Sequence, residues 1–217
     1  MNTLIIDSSA SRTDLCEAGK KYGTDKSPYH VGTPDCPHSH PYTAIYDLLF
    51  APLRHKEVKL GEIGIARLAS MKCWREYFPY AKLHGFEFDS NLLERGINEN
   101  MDNASYSFIN VEDTNSIDTA LSDAGGDFDI LIDDALHNVA CNSNVINTAY
   151  KYLKTGGLLI TEDIFRAYSC EEYMSAIEPV TKYFSLTTFI TTEHDLRNSE
   201  GWDNDRLLVL VRNDTKE

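Results

Sequence analysis

The chain has 217 residues, of which 42% are hydrophobic and 25% charged, the proportions of an ordinary globular protein with one sizeable core. Its formal charge of -14, from 20 Lys+Arg against 34 Asp+Glu, disfavours nucleic acid and anionic membrane as partners. There is no apolar run of about 18 residues, no secretory signal at the start, and no CxxC among the five scattered cysteines, so a reducing, cytoplasmic setting is expected.

Residues 1–40 show no clear period and read as an irregular N-terminal arm or lid. Lys20-Lys21-Tyr22-Gly23-Thr24-Asp25-Lys26 is polar and turn-rich, and Pro28, Gly32, Pro34, Pro37 and Pro41 follow. His30, His38 and His40 lie between them at irregular spacing and read first as polar loop residues. Residues 41–217 read as one domain. Tyr42, Ile45, Tyr46, Leu49 and Phe50 share a helix face that ends near Pro52.

After that helix, strands alternate with helices. Strands are expected at 58–65, 82–89, 105–111, 128–133 and 158–162, with two more near 184–191 and 206–212. Helices are expected at 66–78, 90–100, 114–123, 140–154 and 169–183, and Cys73 and Cys141 in two of them read as small core residues. This alternation predicts an α/β, doubly wound, mostly parallel seven-stranded sheet with both faces covered. Ligands bind such sheets at the carboxyl ends of the strands, where the strand order switches.

Those ends are acidic: Glu62, Glu87, Asp113, Asp133 with Asp134, and Glu162 with Asp163. A single acidic strand end is usually a turn or cap residue, but five in succession suggest a cation site. His137, three residues after Asp134, is suited to take a proton at neutral pH. Glu62-Ile63-Gly64-Ile65 supplies one glycine for a tight turn, and the register from Gly64 through Ala66 and Ala69 lacks the dinucleotide pattern. Glu87 ends the second strand of the alternating series, where an acidic residue can accept ribose hydroxyls.

The order of these stretches resembles the metal-dependent class I S-adenosylmethionine O-methyltransferases of macrolide sugar methylation, the mycinamicin and tylosin type, and related cephalosporin-pathway enzymes. The matching residues are Tyr22-Gly-Thr-Asp-Lys26, His40-Pro-Tyr42 with Tyr46, Glu62-Ile-Gly-Ile65 with Ser70 and Trp74, Tyr77-Phe-Pro79, and Gly85-Phe-Glu87. They continue through Phe128-Asp-Ile-Leu-Ile-Asp-Asp134 with His137, Gly156-Gly157 with Glu162-Asp163, and Trp202-Asp-Asn-Asp-Arg-Leu-Leu208. The resemblance implies a Rossmann-like class I methyltransferase fold using S-adenosylmethionine and Mg²⁺ on a hydroxyl of a small molecule, a sugar or glycosylated natural product. It places Glu62, Gly64 and Ser70 against the methionine portion of the cofactor, Glu87 at the ribose, and Asp113 and Thr114 near the adenine. Asp134, Glu162 and Asp163 would bind Mg²⁺, His137 would be the general base, and Tyr22 to Lys26 would fold over the site. Asp133 either faces the cofactor or orients its loop. The resemblance leaves a homo-oligomer open.

Two departures from the family pattern stand out. Leu68-Ala69 replaces two glycines in the cofactor turn, which would crowd the cofactor or divert the loop. The stretch from Lys26 to His40 is longer and richer in proline, and the chain has no room for the extra N-terminal domain of some family members. Two other readings stay open: a catalytically silent binding protein that keeps the fold, and a metal-dependent hydrolase using Asp134, Glu162, Asp163 and His137 on water.

Overall fold

The computed structural model describes residues 2–33, 36–199, 201 and 203–215, so Pro34 and Trp202 lie outside the described residues. The seven expected strands are β2 (Lys59–Ile63), β3 (Lys82–Glu87), β4 (Ala104–Phe108), β5 (Phe128–Asp133), β6 (Leu153–Ile164), β7 (Phe184–Glu193) and β8 (Arg206–Arg212). An eighth, β1 (Asn2–Asp7), extends the sheet, pairing in parallel with β7 from Asn2↔Thr188 to Asp7↔Glu193. The strand order is β1-β7-β8-β6-β5-β2-β3-β4, and β8 runs antiparallel to both of its neighbours.

Successive residues of a strand face opposite sides of the sheet, so each strand feeds two cores. On β5, Ile130 and Ile132 pack with α1 (Asp14–Tyr22), α2 (Tyr42–Phe50) and α3 (Ala69–Tyr77), through Leu15, Tyr46 and Trp74 among others. Leu131 faces the other way, joined by Phe128 across a register shift between Phe128 and Ile130, towards α5 (Thr114–Asp123), α6 (Val139–Ala149) and α7 (Cys170–Ala176), where Leu121, Val145 and Tyr173 are fully buried. The last helix, α4 (Ser90–Glu99), is capped by Asp89 and lies beside β3 and β4. Burial on both faces explains why the central strands read as continuous apolar runs.

The structure is more regular near the N-terminus than the sequence suggested. Helix α1 starts at Thr13, whose hydroxyl accepts the Cys16 N–H, and ends at Gly23 in the left-handed region with φ 72°. The expected helix at 169–183 is broken: α7 stops at Ala176 and a 3₁₀ segment, Glu178–Tyr183, follows with Pro179 near its start. Proline cannot donate the next helical hydrogen bond. The segment after Gly23 stays irregular and reaches the carboxyl ends of the sheet. Its Ser39 pairs with Asn198 of the β7–β8 connection, with Ser39 N–H donating to Asn198 O at 2.6 Å and Asn198 N–H to Ser39 O at 3.0 Å. Fully buried Asp205 anchors the same region, accepting both Arg166 Nε (2.7 Å) and Arg166 Nη2 (2.9 Å).

Away from the carboxyl ends, His84 of β3 lies between Ser105 and Ser107 of β4 and stacks on Phe86 at 4.4 Å. Burial, with Lys59 nearby, pulls its pKa from 6.5 down to about 4. Between these two values the unfolded chain takes up a proton that the native chain refuses, so stability falls as pH falls through that window. We expect a loss on the order of 2–3 kcal/mol between pH 7 and pH 4 from this group. Urea unfolding across that range should show a shallower acid slope for His84→Gln; an unchanged slope would assign the loss to other groups.

Candidate active site at the carboxyl ends of the sheet

The strand order reverses between β2 and β5, which pair in parallel with Ile63 opposite Asp133. On the far side of β5, Asp133 is opposite Thr161 of β6. This register brings Glu62, Asp133, Asp134, Glu162 and Asp163 to one edge, with Glu87 ending the adjacent β3.

The turn after β2 runs through three residues with positive φ: Gly64 (88°), Ala66 (40°) and Leu68 (69°). Only glycine fits at 64, because a Cβ there would lie 2.3 Å from the Asp134 carbonyl oxygen. Leu68 is completely buried among the α1–α3 core residues, turned away from the cleft. The Leu68 side chain therefore does not line the cleft, and its left-handed backbone costs about 1–2 kcal/mol. Glu87 pins the turn: Oε2 accepts the N–H groups of Ile65 (3.2 Å) and Ala66 (3.1 Å), and Oε1 those of Phe88 (2.8 Å) and Asp89 (3.0 Å).

Two cavities meet at this turn. One, of about 510 Å³, is lined by Glu87, Phe88, Leu92, Asn110, Val111, Glu112, Ala135 and Leu136. The other, of about 580 Å³, lies under the lid and is lined by Thr24, Asp25, Lys26, Arg67, Ser70 and Lys72. Gly64, Ala66 and Asp134 line both. Asp113 and Thr114 line neither: Asp113 caps α5 by accepting the Asn115 N–H, and Asn110, Val111 and Glu112 form the wall instead. Strand β4 stops at Phe108, earlier than expected, which moves this wall back along the chain. Asp133 is buried behind its loop, accepting Asn142 Nδ2 at 2.9 Å, and burial raises its pKa to about 6.

Lys26, in the segment after α1, reaches the centre of the acidic edge. Its ammonium is buried, donates to Asp134 Oδ2 and to Glu162 Oε2 (2.6 Å), and lies 3.9 Å from Glu62 Oε1. Burial alone would favour neutral lysine, but the three carboxylates outweigh it and hold the ammonium well above its usual range. Glu62 is fully buried; Oε2 accepts Ser70 Oγ–H (2.8 Å) and Trp74 Nε1–H (3.1 Å), and burial raises its pKa to about 7. Glu162 also accepts Tyr46 O–H at 2.5 Å.

Asp163 adopts φ 55°, a strained left-handed conformation for an aspartate. Its Oδ1 accepts Tyr42 O–H at 2.7 Å, and its Oδ2 lies 3.7 Å from His137 Nε2. Asp134, His137 and Asp163 each offer a ligand atom within 4.8 Å of the others. Two carboxylates with room for solvent and substrate suit a hard divalent cation, so the donor set fits Mg²⁺. Glu162 belongs to the flank of this group, bound to Lys26 and Tyr46. The sequence placed Lys26 in the segment that folds over the site and Tyr42 and Tyr46 among the matching residues, but gave none of the three a contact with the acidic edge. The surplus of carboxylates on neighbouring strands was the available signal, since buried charges demand partners.

No family model matches the chain. It is 28% identical over 144 residues to 8-demethyl-8-(2-methoxy-alpha-L-rhamnosyl)-tetracenomycin-C 3'-O-methyltransferase of Streptomyces olivaceus, covering 63% of this chain and 35% of that one. To mycinamicin VI 2''-O-methyltransferase of Micromonospora griseorubida it is 25% identical over 169 residues, covering 72% and 37% respectively. The chain thus spans little more than a third of the length of these relatives. The MycE methyltransferase of the mycinamycin pathway, solved with Mg, SAH and mycinamycin VI, superposes with a TM-score of 0.67 at 19% identity, over 93% of this chain and 55% of that one. The fold is the Rossmann-like class I methyltransferase fold, and the chain is related in sequence to sugar O-methyltransferases.

Replacing Lys26 with methionine keeps its length and removes its charge. Stripping one partner from a buried ionic cluster costs about 3–5 kcal/mol. Lys26→Met should lose stability of that order in EDTA by urea unfolding, and recover part of it with Mg²⁺. Unchanged stability in EDTA would show that Lys26 does not balance the carboxylates.

Proposed function

We propose that this chain is an S-adenosylmethionine- and Mg²⁺-dependent O-methyltransferase acting on a hydroxyl of a small glycosylated natural product. The observation that carries this reading is the junction of the two cavities at Gly64, Ala66 and Asp134, beside His137 and Asp163. A donor lying across that junction has its reactive end at the cluster best suited to receive a hydroxyl. The O-methyltransferase activities for which the similar proteins are named point the same way.

In this reading Glu87 faces the ribose hydroxyls, which share its carboxylate oxygens with the four backbone N–H groups bound there. Asn110, Val111 and Glu112 flank the base, with Asp113 and Thr114 behind them at the start of α5. Glu62, Gly64 and Ser70 face the methionine portion, and Asp133 positions the loop that carries Asp134. Asp134 and Asp163 supply the ligands closest to His137, and Glu162 completes the acidic set while holding Lys26 beside it. When bound, S-adenosylmethionine supplies an electrophilic methyl group, and Mg²⁺ supplies positive charge beside the accepting oxygen.

His137 takes the proton of the acceptor hydroxyl as its oxygen attacks. The Asp163 carboxylate lies 3.7 Å from its Nε2. Residues 1–40 contribute the lid through the segment that follows α1, which excludes water from the junction. Leu68, buried in the core, leaves the cleft clear of its side chain, which supports this reading over a silent binding protein. The cavity beside Glu87 has no use in a hydrolase. No helix among the described residues is long and apolar enough to cross a membrane. The free cysteines suit the reducing interior of a cell, and the acidic surface disfavours nucleic acid.

Calorimetric titration with S-adenosylmethionine in Mg²⁺ should show binding in the micromolar range, roughly -8 kcal/mol. No binding with or without Mg²⁺ would sink the proposal. With methyl transfer measured on a panel of sugar-bearing acceptors, His137→Ala should lower kcat by about 10²–10⁴-fold with cofactor affinity retained. Turnover that survives this change would exclude His137 as the base. Asp163→Asn, which tolerates the left-handed backbone, should stay folded and lose most Mg²⁺-dependent activity.

A further inference from the structure

The lid carries a second group of ligand-type side chains, apart from the acidic edge. Asp25 lies in the turn after α1, and Cys36 and His38 lie in the proline-rich stretch beyond it. Asp25 Oδ2 is 3.2 Å from His38 Nε2 and accepts the Cys36 S–H at 3.5 Å. All three ligand atoms lie within 4.8 Å of one another.

Backbone pairing fixes this grouping. Thr33 and Cys36 exchange two hydrogen bonds, of 2.9 and 3.0 Å. The His40 N–H donates to Asp25 O at 2.6 Å and brings the end of the stretch back beside Asp25. A tetrahedral ion with bonds of about 2.0–2.3 Å to O, N and S sets its donors about 3.3–3.6 Å apart. The Asp25–His38 and Asp25–Cys36 separations agree with those edges to about 0.1 Å. A thiol, an imidazole and a carboxylate make a borderline-soft set, unlike the hard oxygen-rich edge around Asp134.

We propose that Asp25, Cys36 and His38 form a site for a divalent cation of the zinc class that clips the proline-rich stretch to the turn preceding Lys26. Binding exchanges the Cys36 thiol proton for the ion, and that proton leaves to solvent. His38 binds as the neutral ring, Asp25 as the carboxylate, and a fourth position stays open to water. The site stands whether or not the chain transfers methyl groups, since none of its three donors belongs to the acidic edge.

Co²⁺ added to the full chain in excess Mg²⁺ tests this by absorption spectroscopy, because a thiolate ligand gives cobalt a near-ultraviolet charge-transfer band. We expect about one equivalent to bind with that band and with tetrahedral ligand-field bands, releasing a proton, and Zn²⁺ to displace it. Cys36→Ser should abolish the charge-transfer band, and His38→Gln should weaken Co²⁺ binding by roughly tenfold or more. Cys170→Ser, at the other partly exposed cysteine, should change neither. No thiolate band from the native chain, shown folded by circular dichroism, overturns the proposal. So does a band that survives Cys36→Ser or vanishes in Asp163→Asn.

Discussion

Lys26 is buried among Glu62, Asp134 and Glu162, and much of the molecule follows from the need to keep that cluster neutral enough to bury. Three parallel strands can end in carboxylates at one edge only if a cation meets them there. The lid supplies it, so the segment after α1 is drawn across the sheet and held. Around the cluster, Ser70, Trp74, Tyr46 and Tyr42 each direct a donor to a carboxylate oxygen. Trp74 and Tyr46 also pack edge to face at 5.6 Å, so the aromatic core of that face supports the polar centre.

The turn after β2 shows how a backbone path can outlast the residues usually needed for it. Gly64 is dictated by the approach of the Asp134 carbonyl, whereas Ala66 and Leu68 hold left-handed conformations without glycine's freedom. Leu68 offsets that cost with a side chain sealed in the core. Four backbone N–H groups converging on Glu87 then fix the turn against β3.

The central strands were legible because burial on both faces demands apolar runs such as Ile130-Leu131-Ile132, and because the glycine-rich and acidic breaks mark their ends. The edge strand β1 was not: its apolar stretch is only Leu4-Ile5-Ile6, and its partner β7 lies far along the chain. Helix α1 escaped notice because it is only nine residues long and its Lys20-Lys21-Tyr22 end reads as part of the polar turn that follows, although Thr13 and Gly23 bracket it as cap and stop. The acidic edge could be read from strand ends alone. Which side chain neutralises it could not, since Lys26 comes from over a hundred residues earlier and local spacing carries no trace of the contact. The wall at Asn110 to Glu112 was displaced from the expected Asp113 and Thr114 by the early end of β4, a boundary that depends on edge pairing more than on composition.

The pairing of Ser39 with Asn198 joins two connecting segments that are far apart in sequence. Both are surface connections, where length and composition change at little cost to the fold. An insertion in one can be met by adjustment in the other, while the strand register that sets Glu62, Asp134 and Glu162 is left alone. The architecture thus divides the labour: the carboxylates sit in the register of the sheet, and the connections beside them form a two-part seam.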